Sequence, residues 1–187
     1  FCNSQVKVML DRSVRINPLA RWPDWINRRI PGGKVHIIQR PICRDVHGYF
    51  AQTPVQLSLT PEEERKGCQA LEEMGVGENT PFICFIARDS TFLDTLYPGV
   101  DWHYHDYRDS PISGQLPAVE EMTRRGYFAF RMGAIVAEPL ETTNPMIIDY
   151  STKFRTEFLD IYLSAKCRFF IGTGTGLDTV AFVFRRP

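Results

Sequence analysis

The second half of the chain alternates apolar runs with amphipathic stretches. Four apolar runs have the length of strands: 82–86, 127–131, 146–149 and 167–171. Apolar side chains at helical spacing predict helices over 116–125 and 153–166. Continuous apolar runs are typical of strands covered on both faces. The pattern predicts an α/β fold: a Rossmann-like, mostly parallel sheet with helices on both faces.

The first third of the chain lacks this rhythm. Prolines and a Gly-Gly pair interrupt residues 1–58, so we expect loops, short helices and a strand or two there. Thr60, Pro61 and Glu63 then begin a helix, because Thr is a good cap, Pro suits the first helical position and a Glu three residues after the cap completes a capping box. Gly75 is expected to end that helix.

Length and composition allow one domain or two small lobes, because 187 residues that are 43% apolar can bury one substantial core. The change of pattern divides the chain into a partial N-terminal segment with a linking helix, 1–75, and a Rossmann-like lobe, 76–187. The chain opens with Phe1 and stops at Pro187 soon after an apolar, helix-like stretch. We therefore expect both ends to be cut from something longer, with the lobe truncated at its C-terminus.

Charge and cysteine usage narrow the class of partner. Lys plus Arg equals Asp plus Glu at 22 each, which argues against a nucleic-acid or anionic-membrane binder and favours a small molecule. Five cysteines without a C-x-x-C pair indicate neither a disulfide framework nor a zinc site, so we expect a reducing, cytoplasmic location. The apolar runs are far shorter than the roughly 20 residues of a membrane span.

A glycine-rich loop stands between the last predicted strand and a further helix. It reads Gly172, Thr173, Gly174, Thr175 and Gly176. Backbone N–H groups and the helix dipole at such a position favour an anion such as a diphosphate, and the Thr hydroxyls add donors. The loop has neither the lysine of a Walker loop nor the third glycine of a dinucleotide fingerprint. The alternative is a tight strand-to-helix turn.

Two arginines come at the ends of predicted strands, at the edge where α/β sheets bind ligands. Arg88 and Asp89 follow the strand at 82–86, and Arg131 ends the strand at 127–131. An arginine there is suited to a bidentate contact with phosphate, and Asp89 to orienting it or to binding a hydroxyl. The alternatives are a local ion pair for Arg88 and a solvated side chain for Arg131.

The segment 101–109 is dense in hydrogen-bonding groups. His103 and His105 would share one face of a strand, but the sequence places no third ligand beside them, so we expect no metal. We expect His105, Tyr107 and Arg108 to form a polar rim that binds a sugar or a base. The alternative for Tyr107 and Arg108 is structural packing.

Two further clusters carry carboxylates. Asp149 and Tyr150 follow the third strand, where they suit a ribose or sugar hydroxyl and a stacked ring, or else a helix cap. Asp45 and His47 are the general-base candidates. No D-x-D pair is present to hold a divalent cation. Glu157 and Asp160 are expected on the solvated side of the helix over 153–166.

Taken in order, these segments resemble a family of bacterial glycosyltransferases, distantly similar to the two-lobed fucosyltransferase and heptosyltransferase type. The resemblance is carried by 87–90, 104–110, 126–133, 148–150, 158–163 and 172–176, and more thinly by 17–19 and 60–74. In that class two Rossmann-like (GT-B-like) lobes face each other, and the C-terminal lobe holds a nucleotide-sugar donor with no metal. The resemblance makes 76–187 the donor lobe and 1–75 part of the acceptor side.

The resemblance implies transfer of a sugar from a nucleoside-diphosphate donor to a glycan or lipid-linked acceptor, in polysaccharide or glycoconjugate assembly, without a cofactor. It gives Arg88 the diphosphate, Thr173 and Thr175 the phosphate loop, and Asp149 and Tyr150 the base or ribose. The alternatives are another nucleotide-sugar enzyme, of the epimerase or phosphorylase type, and a non-catalytic nucleotide- or carbohydrate-binding module.

Overall fold

The computed structural model describes residues 3–14, 17–37 and 48–187. One parallel sheet holds the strands β1 (Phe82–Phe85), β2 (Phe128–Arg131), β3 (Ile147–Ile148) and β4 (Phe170–Ile171). Their spatial order is β3-β2-β1-β4. The α/β class and the parallel sheet predicted from the apolar rhythm are confirmed.

The described α-helices are α1 (Ser4–Ser13), α2 (Arg21–Asn27), α3 (Tyr49–Gln52), α4 (Pro61–Glu73), α5 (Thr91–Leu96), α6 (Leu116–Arg124), α7 (Tyr150–Lys153), α8 (Glu157–Lys166) and α9 (Gly176–Val183). Short 3-10 helices occupy Pro18–Ala20, Gly33–His36, His103–Arg108 and Ile112–Gln115. No helix in these ranges combines the length and apolar character that crossing a bilayer requires.

Helices cover both faces of the sheet, as predicted. Phe82, Cys84 and Phe130 point to one face, where α4 and α8 pack on them. Ile83 and Phe85, which alternate with them along β1, point to the opposite face and pack against α6. Because both faces are buried, β1 has no polar side chain, which explains its continuous apolar run.

The strand order reverses between β1 and β4. The chain steps outward from β1 to β2 and β3, then returns to place β4 on the other side of β1. Phe85 is in register with Arg131 on β2 and Ile171 on β4, so these three strands end at the same edge. Such a reversal of strand order is a switch point, where α/β sheets leave a crevice for ligands.

The helix predicted from Thr60 begins as expected. The backbone N–H of Glu63 donates to Thr60 Oγ1 at 3.2 Å, and the Thr60 N–H donates to Glu63 Oε2 at 2.7 Å, which completes the capping box. Gly67 in α4 lies so close to the Tyr162 ring that a Cβ would meet it at 2.1 Å. Helix α4, predicted as a link, therefore packs directly on the body of the lobe.

Helix α1 joins the same body. The Asn3 side chain donates to the Glu157 carbonyl at 2.9 Å, and the Ser4 N–H donates to the Glu157 carboxylate at 2.9 Å. Arg12 pairs with Glu63 of α4 at 2.9 Å. The packing thus continues across the division proposed at residue 75.

Some local features differ from those that the sequence predicts. The described residues of 1–58 form helices and turns and contain no strand. His103–Arg108 is a 3-10 helix, so His103 and His105 do not share the face of a strand. The helix predicted from residue 153 begins at Glu157, because Thr156 is extended and accepts the Leu159 N–H as an N-cap. Asp160, expected on a solvated face, is buried.

Candidate functional site

A cavity of about 620 Å³ opens at the switch point. Its walls come from the segments that follow β1 (86–89), β2 (133–136) and β4 (174–177), together with α5, α8, α9 and the beginning of α1. This volume is in the range of small-molecule sites, which are concave and mostly apolar with a few polar groups. The cavity therefore lies where the sheet topology places a ligand.

Arg88 lines this cavity from the loop after β1. Its side chain is only 9% exposed. Nη1 donates to the Asp109 carboxylate and, at 3.0 Å, to the His105 carbonyl. Nη2 is buried and has no hydrogen-bond partner within the described ranges. Because a buried donor without a partner is costly, Nη2 marks a place for an acceptor from outside the chain.

The glycine-rich loop meets Arg88 across the switch point. Thr173 Oγ1 accepts the Arg88 backbone N–H at 2.8 Å, which ties the loops after β1 and β4 together. Gly174 has φ +80°, a left-handed conformation that favours glycine. The Thr175 N–H donates to Asp178 at 2.9 Å, and the Thr175 side chain faces the Asp178 N–H as in a capping box, so it is the hydroxyl proton of Thr175 that finds no partner among the described groups. Since Asp178 already places negative charge at the start of α9, an anion here depends on the arginines more than on the helix dipole.

Arg108 is the second arginine of the cavity wall. It donates to the Gly174 carbonyl at 3.4 Å and lies 2.7 Å from His105 Nδ1, while its buried Nε has no partner in the part of the chain described. Burial, and then the charges of Arg108 and Arg88, lower the pKa of His105, so a neutral imidazole accepts from Arg108. Tyr107 is 82% exposed and does not line the cavity. Of the predicted rim, only Arg108 reaches the cavity wall.

Unsatisfied buried polar atoms concentrate around this edge of the sheet. Within the described ranges they are Arg88 Nη2, Trp102 Nε1, Arg108 Nε, Ser110 Oγ, Gln115 Oε1 and Thr175 Oγ1. The segment 102–115 is held against the end of β1, because the Ser110 backbone N–H donates to the Arg88 carbonyl and Gln115 Nε2 donates to the Ile86 carbonyl. Most buried polar groups in proteins are paired, so this concentration distinguishes the site from the rest of the fold.

Arg131 and Asp149 form a buried ion pair instead of facing the cavity. Arg131 Nη1 lies 3.1 Å from Asp149 Oδ1 and 2.9 Å from Ser151 Oγ, and both charged side chains are 4% exposed. Burial alone would raise the pKa of Asp149, but hydrogen bonds from the Leu140 N–H, the Thr152 hydroxyl and Arg131 hold it below its ordinary value. The structure corrects the phosphate-binding prediction for Arg131 and the ribose-binding prediction for Asp149, because both side chains make their hydrogen bonds within the protein.

Tyr150 is fully buried, which corrects its prediction as a stacking residue. Its hydroxyl lies 2.9 Å from Asp160 Oδ1 and 2.9 Å from the Thr156 carbonyl, and it accepts the Thr156 N–H at 3.1 Å. Burial raises the pKa of the phenol, so it stays protonated. Tyr150 therefore does not line the cavity but contacts Asp160, which does.

Asp89 lines the cavity as predicted from its position after β1. Its carboxylate accepts the Thr91 N–H at 3.0 Å and the Ala137 N–H at 3.4 Å. It therefore holds the loop at the start of α5 against the loop after β2. Asp45 and His47, the general-base candidates, lie outside the described residues.

Asp160 and Arg155 are cavity residues that the sequence analysis missed. Arg155 Nη2 donates to Asp160 Oδ2 at 2.9 Å. One sequence signal could have found Asp160: residues 158–165 are apolar almost all round, and a helix of that kind is buried, so a carboxylate within it is buried too.

Within the described ranges, no group of three or more His, Cys, Asp or Glu side chains is placed to hold a metal ion. Comparisons of the chain with protein-family models, with curated proteins and with solved structures find no match.

Proposed function

We propose that the cavity binds the diphosphate of a nucleotide-sugar donor, and that the protein transfers the sugar to an acceptor hydroxyl. The observation that supports this most is the buried, unpartnered Nη2 of Arg88 in a cavity at the switch point. A diphosphate is an acceptor that matches an arginine fork, and ligands of α/β sheets bind at this edge.

The surroundings of Arg88 suit both halves of such a ligand. Arg108 and the Thr175 hydroxyl add an unsatisfied donor each beside Arg88. Phe92 and Val180 belong to the apolar part of the cavity wall, which suits a nucleobase or the face of a sugar ring. Charge on the departing diphosphate would then be stabilised by arginine and hydroxyl donors without a metal.

The transfer step itself rests on the resemblance to bacterial glycosyltransferases. It includes a glycan or lipid-linked acceptor, a cytoplasmic location, and Asp45 or His47 as the base that takes the acceptor proton. Incubation with the donor, with and without an acceptor, separates transfer from the alternatives. An isomerised sugar indicates an epimerase, sugar phosphate that forms only when inorganic phosphate is added indicates a phosphorylase, and unchanged donor indicates a binding module.

Arg88→Ala tests the donor site. Loss of a charge-assisted contact worth about 1.5–3 kcal/mol should weaken nucleoside-diphosphate binding by roughly 10- to 150-fold in calorimetric titrations. Arg12→Ala is the matched control, because it also removes an arginine that pairs with a carboxylate but lies outside the cavity wall. Equal affinities for the wild type and Arg88→Ala, with both variants folded, would sink the proposed role of Arg88.

A further inference from the structure

A buried carboxylate also lines the cavity, on a different element from Arg88 and Arg108. Asp160, on α8, lines the cavity although its side chain is only 6% exposed. Arg155 covers one carboxylate oxygen, and the Tyr150 hydroxyl contacts the other. Asn3 and Val6 bring the beginning of α1 to the same cavity.

The position of the Asp160 carboxylate is well determined. Tyr150 is immobilised by full burial and by its hydrogen bonds with Thr156, so its hydroxyl holds Asp160 Oδ1 in place. Arg155 holds Oδ2 from the other side. A carboxylate accepts about four hydrogen bonds, so these two contacts leave room for donors from a ligand.

Burial of the Asp160 carboxylate destabilises its charged form. Desolvation is the largest influence on Asp160 and raises its pKa, although Arg155 and Tyr150 oppose the shift. Replacing a buried charged pair with apolar residues is often neutral or stabilising. A charge kept at a cavity wall therefore points to the ligand.

The cavity wall presents both hydrogen-bond donors and an acceptor. Arg88, Arg108 and Thr175 offer donors, whereas Asp160 offers acceptor lone pairs and repels a second anion. A ligand that satisfies both carries an anionic group and hydroxyl donors. A nucleoside-diphosphate hexose carries both, and a nucleoside diphosphate without its hexose loses the hydroxyls of that sugar.

We propose that Asp160 is the residue that recognises the sugar of the donor, by accepting hydrogen bonds from its hydroxyl groups, with Tyr150 and Arg155 as positioning residues. This inference rests on the proposed function. It makes the preferred donor a neutral, hydroxylated sugar, because an acidic sugar would place a second carboxylate against Asp160.

Binding of a nucleoside diphosphate and of the corresponding nucleoside-diphosphate hexose is measured for the wild type and for Asp160→Asn. Asparagine keeps an acceptor for Tyr150 but loses the charge, so affinity for the hexose donor should fall about fivefold to tenfold while affinity for the diphosphate stays within about twofold. Glu157→Gln is the matched control, because Glu157 lies on the same helix but accepts a hydrogen bond from the Ser4 N–H and does not line the cavity. It should change neither affinity.

The outcomes separate the two proposals. If no nucleoside diphosphate binds the wild type, the proposed function fails and the inference falls with it. If the diphosphate binds but Asp160→Asn affects both ligands equally or neither, the inference alone is overturned. If Asp160→Asn does not fold, monodeoxy hexose donors decide on the wild type: at least one should bind about fivefold more weakly, and uniform affinities would overturn the inference.

Discussion

Arg88 and Arg131 both lie near the ends of neighbouring strands and both pair with an aspartate, yet of the two only Arg88 has a buried nitrogen without a partner among the described residues. Arg131 shares its donors among Asp149, Ser151 and a carbonyl, and it is closed off from the cavity. Arg88 pairs with Asp109 on one side, and its Nη2 is left over. Identical residue types at similar positions thus have different roles because their neighbours differ.

Removal of one partner from the buried Arg131–Asp149 pair should strongly destabilise the fold. Arg131→Met removes one partner and leaves the Asp149 charge buried, so the free energy of unfolding should fall by about 3–5 kcal/mol in denaturant titrations. Arg125→Met breaks the exposed pair with Glu121 and should cost under about 1 kcal/mol. Similar losses in the two variants would contradict the assignment of Arg131 to the interior.

Helix α4 shows how a single side chain ties two elements together. The Glu63 carboxylate accepts from Thr60, Gln5 and Arg12, so it both caps α4 and holds α1 against it. Burial would raise the pKa of Glu63, but these donors together lower it from 4.5 to about 2.

This lowered pKa predicts a pH dependence of stability. A depressed carboxyl pKa contributes stability above the unfolded value, and that contribution is lost as the pH falls from about 4.5 towards 2. Glu63→Gln should be less stable than the wild type by about 1 kcal/mol at neutral pH, with the difference shrinking over that interval. Glu62→Gln removes an acid from the same turn without touching the capping box, and should follow the wild type. If the free energies of unfolding of the wild type and Glu63→Gln changed in parallel with pH, this prediction would be contradicted.

Elements set by local signals could be predicted from the sequence, and those set by distant contacts could not. Each of the four apolar runs contains a strand, and the capping box gives the start of α4 to the residue. Strand lengths were overestimated because β3 and β4 extend only as far as their neighbours pair with them. The start of α8 was missed because Thr156, rather than apolar periodicity, decides it.

At the scale of the whole molecule, topology decides which residues meet. The carboxyl edge of the sheet was predictable, and with it the meeting of Arg88 and the loop 172–176. The sequence could not show that Asp109, 21 residues after Arg88, would accept a hydrogen bond from Arg88 Nη1. Nor could it show that Asp160 of α8 would line the same cavity. These contacts depend on how the helices pack, which no local pattern encodes.

Binding of a nucleoside diphosphate through Arg88 is the property on which the proposed function depends. It is tested most directly by thermal unfolding of the wild type and Arg88→Ala with increasing UDP, GDP, ADP, CMP and dTDP, because a ligand that binds only the folded state raises the Tm with its concentration. We expect the Tm of the wild type to rise by about 5–11 °C with one diphosphate at roughly 100 times its Kd, and the shift to be largely lost in Arg88→Ala. An unchanged Tm with all five nucleotides, or equal shifts in both proteins, would contradict the account.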